Sequence, residues 1–272
     1  GYGMTSAVNK FQRILGLRSC GKIFHNKCIE KRDKPVVFVT HMEHHSNHTS
    51  WYATAADVVV IPPGKDMLVD LNILEKYLKK YKDYRFKIGS FTACSNVTGI
   101  ATPYHQMAKL MHAHGGLCFV DFAASAPYRP INMHPSDPAE KLDALFFSPH
   151  KFLGGPGSGG VLIFDKSIYS SEIPDQPGGG TVDWTNPWGE YKFSDDIETR
   201  EDGGTPGFLQ TIRTGLSIRL KEKMGTDKIE ARENEIRDLF FAGLSRIKGI
   251  KILAEEVRER LPVFSFYHEK LH

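Results

Sequence analysis

Short apolar runs separated by helix-length amphipathic segments limit this chain to a narrow set of folds. Residues 36–40, 57–61, 85–92, 117–121, 144–148 and 160–164 each read as a strand. Between them, 69–81 carries Leu71, Ile73, Leu74 and Leu78 on one side, and 102–114 repeats the helical period. Strands alternating with helices of this length predict an α/β fold whose sheet is largely parallel. At the start, Thr5 and Ser6 precede an amphipathic run over 7–15 that stops at Gly16, the start and stop signals of a helix. The stretch 41–50 reads as a polar, histidine-rich turn. Residues 165–200 read as a long Gly-, Pro- and Asp-rich loop, of a length that usually serves function or an interface. Helices are expected at 207–224 and 226–247, and 250–253 and 263–267 look like the first strands of another layer.

With 272 residues, one large or two modest domains are expected. Lys and Arg total 35 against 32 for Asp and Glu. That balance gives no reason to expect a nucleic-acid or membrane partner. No apolar run exceeds strand length, so no membrane span is expected, and no signal-peptide pattern opens the chain. Cys20, Cys28, Cys94 and Cys118 form no CxxC pair and no zinc-finger spacing. They read as reduced thiols of a cytoplasmic protein, Cys94 as a small core residue.

In an open parallel sheet, ligands bind at the carboxyl ends of the strands. The residues just past those ends are His44, Asn96, Asp121, Ser148, His150 and Lys151. Lys151 follows a buried strand and precedes a glycine-dense turn, where a shielded amine would be available for Schiff-base chemistry. Taken alone, a lysine at a strand end reads more readily as a surface lysine in a flexible loop. A phosphate-binding Walker loop does not fit, because Lys151 precedes its glycines and a strand follows. Asp121 closes an otherwise apolar strand, so it needs a cation or several donors; a pyridinium nitrogen, a helix cap or a structural role would each suffice. The cluster His41, His44, His45 and His48 admits three readings: a metal-dependent hydrolase, an imidazole stacked on a flat ring, or a solvated turn. It lacks the HExxH order and a distant Cys/His pair.

Five ordered motifs resemble the class V family of pyridoxal-phosphate enzymes, in its cysteine desulfurase and selenocysteine lyase branch. They are Glu43-His44-His45-Ser46-Asn47 with Trp51, Ser95-Asn96-Val97-Thr98-Gly99, Val120-Asp121-Phe122-Ala123, Ser148-Pro149-His150-Lys151 and Gly203-Gly204-Thr205-Pro206. The resemblance implies the large domain of a fold-type I pyridoxal-phosphate transferase: a mainly parallel seven-stranded sheet flanked by helices. Residues 1–224 would form this cofactor-binding domain and 225–272 the beginning of a small C-terminal α+β domain. The family's N-terminal arm would precede Gly1. The arginine that clamps the substrate carboxylate and the cysteine that accepts sulfur would lie beyond His272.

The resemblance also assigns roles. Lys151 is similar to the lysine that forms a Schiff base with pyridoxal 5'-phosphate and shuttles the substrate α-proton. Asp121 resembles the partner of the pyridine nitrogen, His44 the histidine stacked on one ring face, and Ala123 the residue against the other. Asn96 matches the ligand of the phenolic oxygen. Ser148 and His150 match side-chain ligands of the phosphate, and Met4 and Thr5 the segment whose amides hold it. Thr205 resembles the threonine that reaches the neighbouring subunit's phosphate, so a homodimer with shared sites is implied. Ala124 departs from the family, which usually places a glutamine there as a second phenolic-oxygen ligand. The expected function is a pyridoxal-phosphate enzyme acting on a small amino acid, by desulfuration or selenocysteine cleavage. The alternatives are a class V aminotransferase, another lyase, or a cofactor-binding protein without turnover.

Overall fold

The computed structural model describes residues 3–18 and 33–271. Cys20 and Cys28 lie outside the described residues. The main elements are α1 (Gly3–Ile14), β1 (Val36–Thr40), α2 (His45–Tyr52), β2 (Asp57–Ile61), α3 (Leu71–Lys80), β3 (Lys87–Thr92), α4 (Tyr104–Ala113), β4 (Leu117–Asp121), β5 (Ala144–Phe147) and β6 (Val161–Phe164). They are followed by β7 (Val182–Thr185), β8 (Tyr191–Phe193), α5 (Ile197–Glu201), α6 (Phe208–Met224), α7 (Thr226–Leu244), β9 (Ile250–Ile252) and β10 (Phe266–His268).

The central sheet has the order β2-β1-β3-β4-β5-β6. Its neighbours pair in parallel except β5 with β6. All six strands expected from the apolar runs are present. The seventh, implied by the resemblance, is not among the described residues, because no other described segment pairs with this sheet. The strands form where side chains alternate between two buried faces. In β1, Val36 and Phe38 join Phe91, Val120 and Leu145 on one side, while Val37 and Val39 join Phe119, Ala144 and Phe146 on the other. Helices α3 and α4 cover the first face through Leu74, Leu78, Met107 and Met111. Helix α1 covers the second through Val8 and Phe11, the Phe11 ring meeting Phe119 edge-on at 4.9 Å.

Two segments depart from the sequence reading. The histidine-rich turn contains α2, whose polar composition hid its period. The long loop contains the hairpin β7–β8, too short and too exposed to show an apolar pattern. Beyond Gly225, whose φ of 84° breaks the chain between α6 and α7, a separate small core gathers Phe241, Leu244 and Ile252.

Candidate active site

The sheet order reverses between β1 and β3: β1 continues to β2, β3 to β4. Such a switch point opens a crevice at the strand ends. Glu43 fills its floor. One carboxylate oxygen accepts from the Thr40 hydroxyl at 2.7 Å, the Thr40 amide at 3.2 Å and the Thr92 amide at 3.0 Å; the other accepts from Asn47 Nδ2 at 2.6 Å. Asn47 also bridges to Ser90 and takes the Trp51 indole N–H. Glu43, Asn47 and Trp51 therefore lock the start of α2 onto β1 and β3. Burial outweighs these donors and pushes the Glu43 carboxyl up to about 7.

This lock presents His44. As the N-terminal cap of α2, it accepts the Ser46 amide on Nδ1 at 3.1 Å, which leaves the ring proton on Nε2 in the neutral form. Burial, then the charges of Lys151 and His45, lower its pKa. The ring is consequently a neutral, exposed plane beside Lys151. Of the other histidines in the cluster, His41 turns to the Met67 carbonyl and His48 to the Tyr52 hydroxyl, while the His45 ring lies 5.7 Å from that of His44. Among the described residues no three His, Cys, Asp or Glu side chains converge as a metal site.

Asp121 ends β4 with 2% of its surface exposed. The hydrogen bond it accepts comes from the Ala123 amide, at 2.8 Å. Burial pushes its carboxyl up to about 6, while that amide and the Lys151 charge pull the other way. The Lys151 charge is thus felt by both Asp121 and His44. Lys151 closes the 3₁₀ turn Pro149–Lys151, its amide donating to the Ser148 carbonyl at 3.0 Å. Pro149 and Phe152 occupy the buried positions of this turn, so His150 and Lys151 point outward. The amine is accordingly exposed rather than shielded, and its side chain makes no hydrogen bond or ion pair among the described residues. A cleft of about 590 Å³ borders the turn, lined by Tyr128, Phe152 and Lys221 as well as Lys151.

A second group assembles at the start of α1. The Met4 amide donates to Ser148 Oγ at 2.8 Å, and the Thr5 hydroxyl meets that of Ser46 at 2.6 Å. Gly3 has a φ of 64°, and a Cβ there would lie 2.6 Å from the His150 ring and 2.9 Å from Ser148 Oγ. Only glycine fits this approach. A helix N-terminus, two hydroxyls and an imidazole form a cup suited to an anion. Met4, Thr5, Ser148 and His150 come together here, and His44, Asp121 and Lys151 share one electrostatic neighbourhood.

Asn96 is exposed on the turn after β3, and Thr205 is exposed on the loop before α6, with no hydrogen bond to the other candidates. The pattern reading missed the structural task of Glu43. Its signal was available: Asn47 and Trp51 share one helix face at four-residue spacing, and Glu43 stands four residues before Asn47, just ahead of the cap.

A family model for class-V aminotransferases matches residues 22–272. The chain belongs to the class-V aminotransferase family. Among class-V relatives, a probable cysteine desulfurase of Halalkalibacterium halodurans is 30% identical across 97% of this chain and 60% of its own length. One of Staphylococcus aureus is 30% identical across 90% and 57%. The solved structure of a cysteine desulfurase from Thermococcus onnurineus NA1 matches with a TM-score of 0.78 at 25% identity, covering 100% of this chain and 63% of that one. The cysteine desulfurase CsdA of Escherichia coli, at 19% identity and a TM-score of 0.76, shares the fold. The chain spans about 60% of the length of these relatives.

Proposed function

We propose that this class-V chain is the cofactor-binding part of a pyridoxal-phosphate-dependent enzyme acting on a small amino acid, as a cysteine desulfurase or selenocysteine lyase. The observation that carries it is the convergence of Asp121, His44 and Lys151 beside an anion cup. The donor set fits the cofactor. A phosphate would lie against the α1 N-terminus, Ser148 and His150, and a ring would lie between His44 and Ala123. When bound, the cofactor supplies a ring that accepts the electron pair released at the substrate α-carbon.

The chain's own residues do the rest. Asp121, buried and served by one amide, would be stabilised as a carboxylate by a cationic ring N–H and would hold the proton there. His44 offers a neutral face, so stacking adds no positive charge against the ring. Lys151 is the amine that would attach the cofactor, and once released it would carry the substrate α-proton. Its freedom from internal bonds leaves it able to move between these tasks. Asn96 would donate to the phenolic oxygen. Ala124, where a glutamine would add a second donor, favours a second reading in which the branch is transamination or another lysis.

Residues 1–224 are taken as the cofactor domain and 225–272 as part of a small α+β domain, the Gly225 break and the separate Phe241 core supporting the division. A homodimer is supported by α6, where Phe208, Ile212, Leu216, Leu220 and Met224 recur every four residues and stand exposed just after Thr205. Unpaired buried Cys94 and Cys118 suit a reducing cytoplasm. Among the described residues no helix is long and apolar enough to cross a membrane.

The test is a titration of the purified chain with pyridoxal phosphate, read by visible absorbance. A saturable yellow band that Lys151→Ala abolishes is expected. Equal bands with and without the lysine would defeat the proposal.

A further inference from the structure

One distant segment holds three consecutive peptide carbonyls of the turn that carries Asn96. The Val97 carbonyl accepts from Ser265 Oγ at 2.7 Å, the Thr98 carbonyl from Arg260 Nη1 at 3.2 Å, and the Gly99 carbonyl from the Leu261 amide at 2.9 Å. The contact is close enough to dictate sequence: Gly99 has a φ of 72°, and a Cβ there would stand 2.3 Å from the Leu261 carbonyl. Arg260 is 2% exposed. Its other donors go to carbonyls of its own segment, Nε to Val257 at 2.7 Å, Nη1 also to Leu253 at 3.1 Å and Nη2 to Ala254. The guanidinium packs against the Phe241 ring, 5.4 Å from its centroid, so the small core anchors it.

Inside the turn, Ser95 Oγ accepts the amides of Val97 and Thr98 at 3.2 and 3.3 Å. That brace closes the loop without fixing where the exposed Asn96 amide points, since the side chain makes no hydrogen bond among the described residues. The peptide planes of the turn are held from both sides, their amides by Ser95, whose carbonyl also takes the Gly99 amide at 2.9 Å, and their carbonyls by residues 260–265.

We propose that Arg260 is a positioning residue for Asn96. By clamping the Thr98 carbonyl it aims the Asn96 amide at the ring site, and it ties residues 250–271 to the cofactor end of the sheet. The inference rests on the cofactor reading above.

The test is a double-mutant cycle on the full chain. Arg260→Gln and Ser265→Ala are each made with Asn96 present and with Asn96→Ala. The readouts are the dissociation constant for pyridoxal phosphate and, without it, amide hydrogen exchange at 96–100. With Asn96 present, Arg260→Gln is expected to weaken binding about tenfold and Ser265→Ala about threefold, both with faster exchange. With Asn96→Ala, Arg260→Gln is expected to change binding less than about twofold. An effect of equal size in both backgrounds, or unchanged exchange at 96–100, overturns the inference. Should Arg260→Gln not fold, Ser265→Ala, which removes an exposed pair, carries the same cycle. Wild-type chain that takes up no pyridoxal phosphate removes the cofactor reading and this inference with it. Uptake with an undiminished Arg260 effect in Asn96→Ala overturns the inference alone.

Discussion

β1 and α6 are both rich in apolar residues, and the chain treats them in opposite ways. All five residues of β1 are buried, alternate side chains entering cores on either side of the sheet. Of the 17 residues of α6, Ser217 is buried while Phe208, Ile212 and Leu216 stand open. The sheet completes its core from its own chain. The helix presents a stripe that only another surface can cover. Period alone specifies which residues share a face; it does not specify what lies against that face.

The comparison breaks most visibly in the sheet. Phe119 is fully buried between Phe11 and Trp51, and Phe119→Ala is expected to cost about 3–5 kcal/mol in urea unfolding. A loss below about 1 kcal/mol would mean that the second face is not a packed core. Glu43→Ala is next, at about 2–3 kcal/mol, because it strands the Thr92 amide and one N–H of the Asn47 side chain in the crevice floor.

Glu43 also gives the sheet a pH signature. Its folded-state pKa is raised to about 7 by burial, so the folded state keeps this proton when the unfolded chain has lost it. Stability from this group is full below pH 4.5 and falls as pH rises through about 7. His112 acts in the same direction. Nε2 donates to the Asp143 carboxylate at 2.8 Å and Nδ1 to the Ala139 carbonyl at 2.7 Å, so both nitrogens need protons. The bond to Asp143 raises its pKa, and its contribution is present below pH 6.5 and lost as pH rises through the raised value. His112→Gln is expected to cost about 1–2 kcal/mol at pH 6 and less at pH 9. Equal costs at both pH values would contradict a protonated His112.

The smallest effect on folding is expected at α6. Ile212→Glu should shift unfolding by less than about 0.5 kcal/mol while abolishing association in sedimentation. A variant that stays dimeric would place the subunit contact elsewhere. A variant that unfolds would show that the stripe belongs to the chain's own core.

Much of the fold was legible because the strands of the sheet are continuous apolar runs and their helices keep a clear period. What escaped was governed by hydrogen bonds. Helix α2 is assembled by His44 capping and by Asn47 bonding to Glu43 and Ser90, which no hydropathy pattern records. At the site, Ser148, His150 and Asp121 were readable from strand ends, since a parallel sheet delivers those ends to one edge; Met4 and Thr5, at the start of α1, came with the family resemblance. The exposure of Lys151 was not. It depends on Pro149 and Phe152 taking the inward positions of a single turn.

The measurement that bears most directly on the account is borohydride reduction of the cofactor-treated chain followed by peptide mass mapping. The account predicts loss of the yellow colour and the reduced pyridoxyl phosphate mass on Lys151 alone, suppressed in Lys151→Ala. The same mass spread over surface lysines, unchanged in that variant, would contradict it.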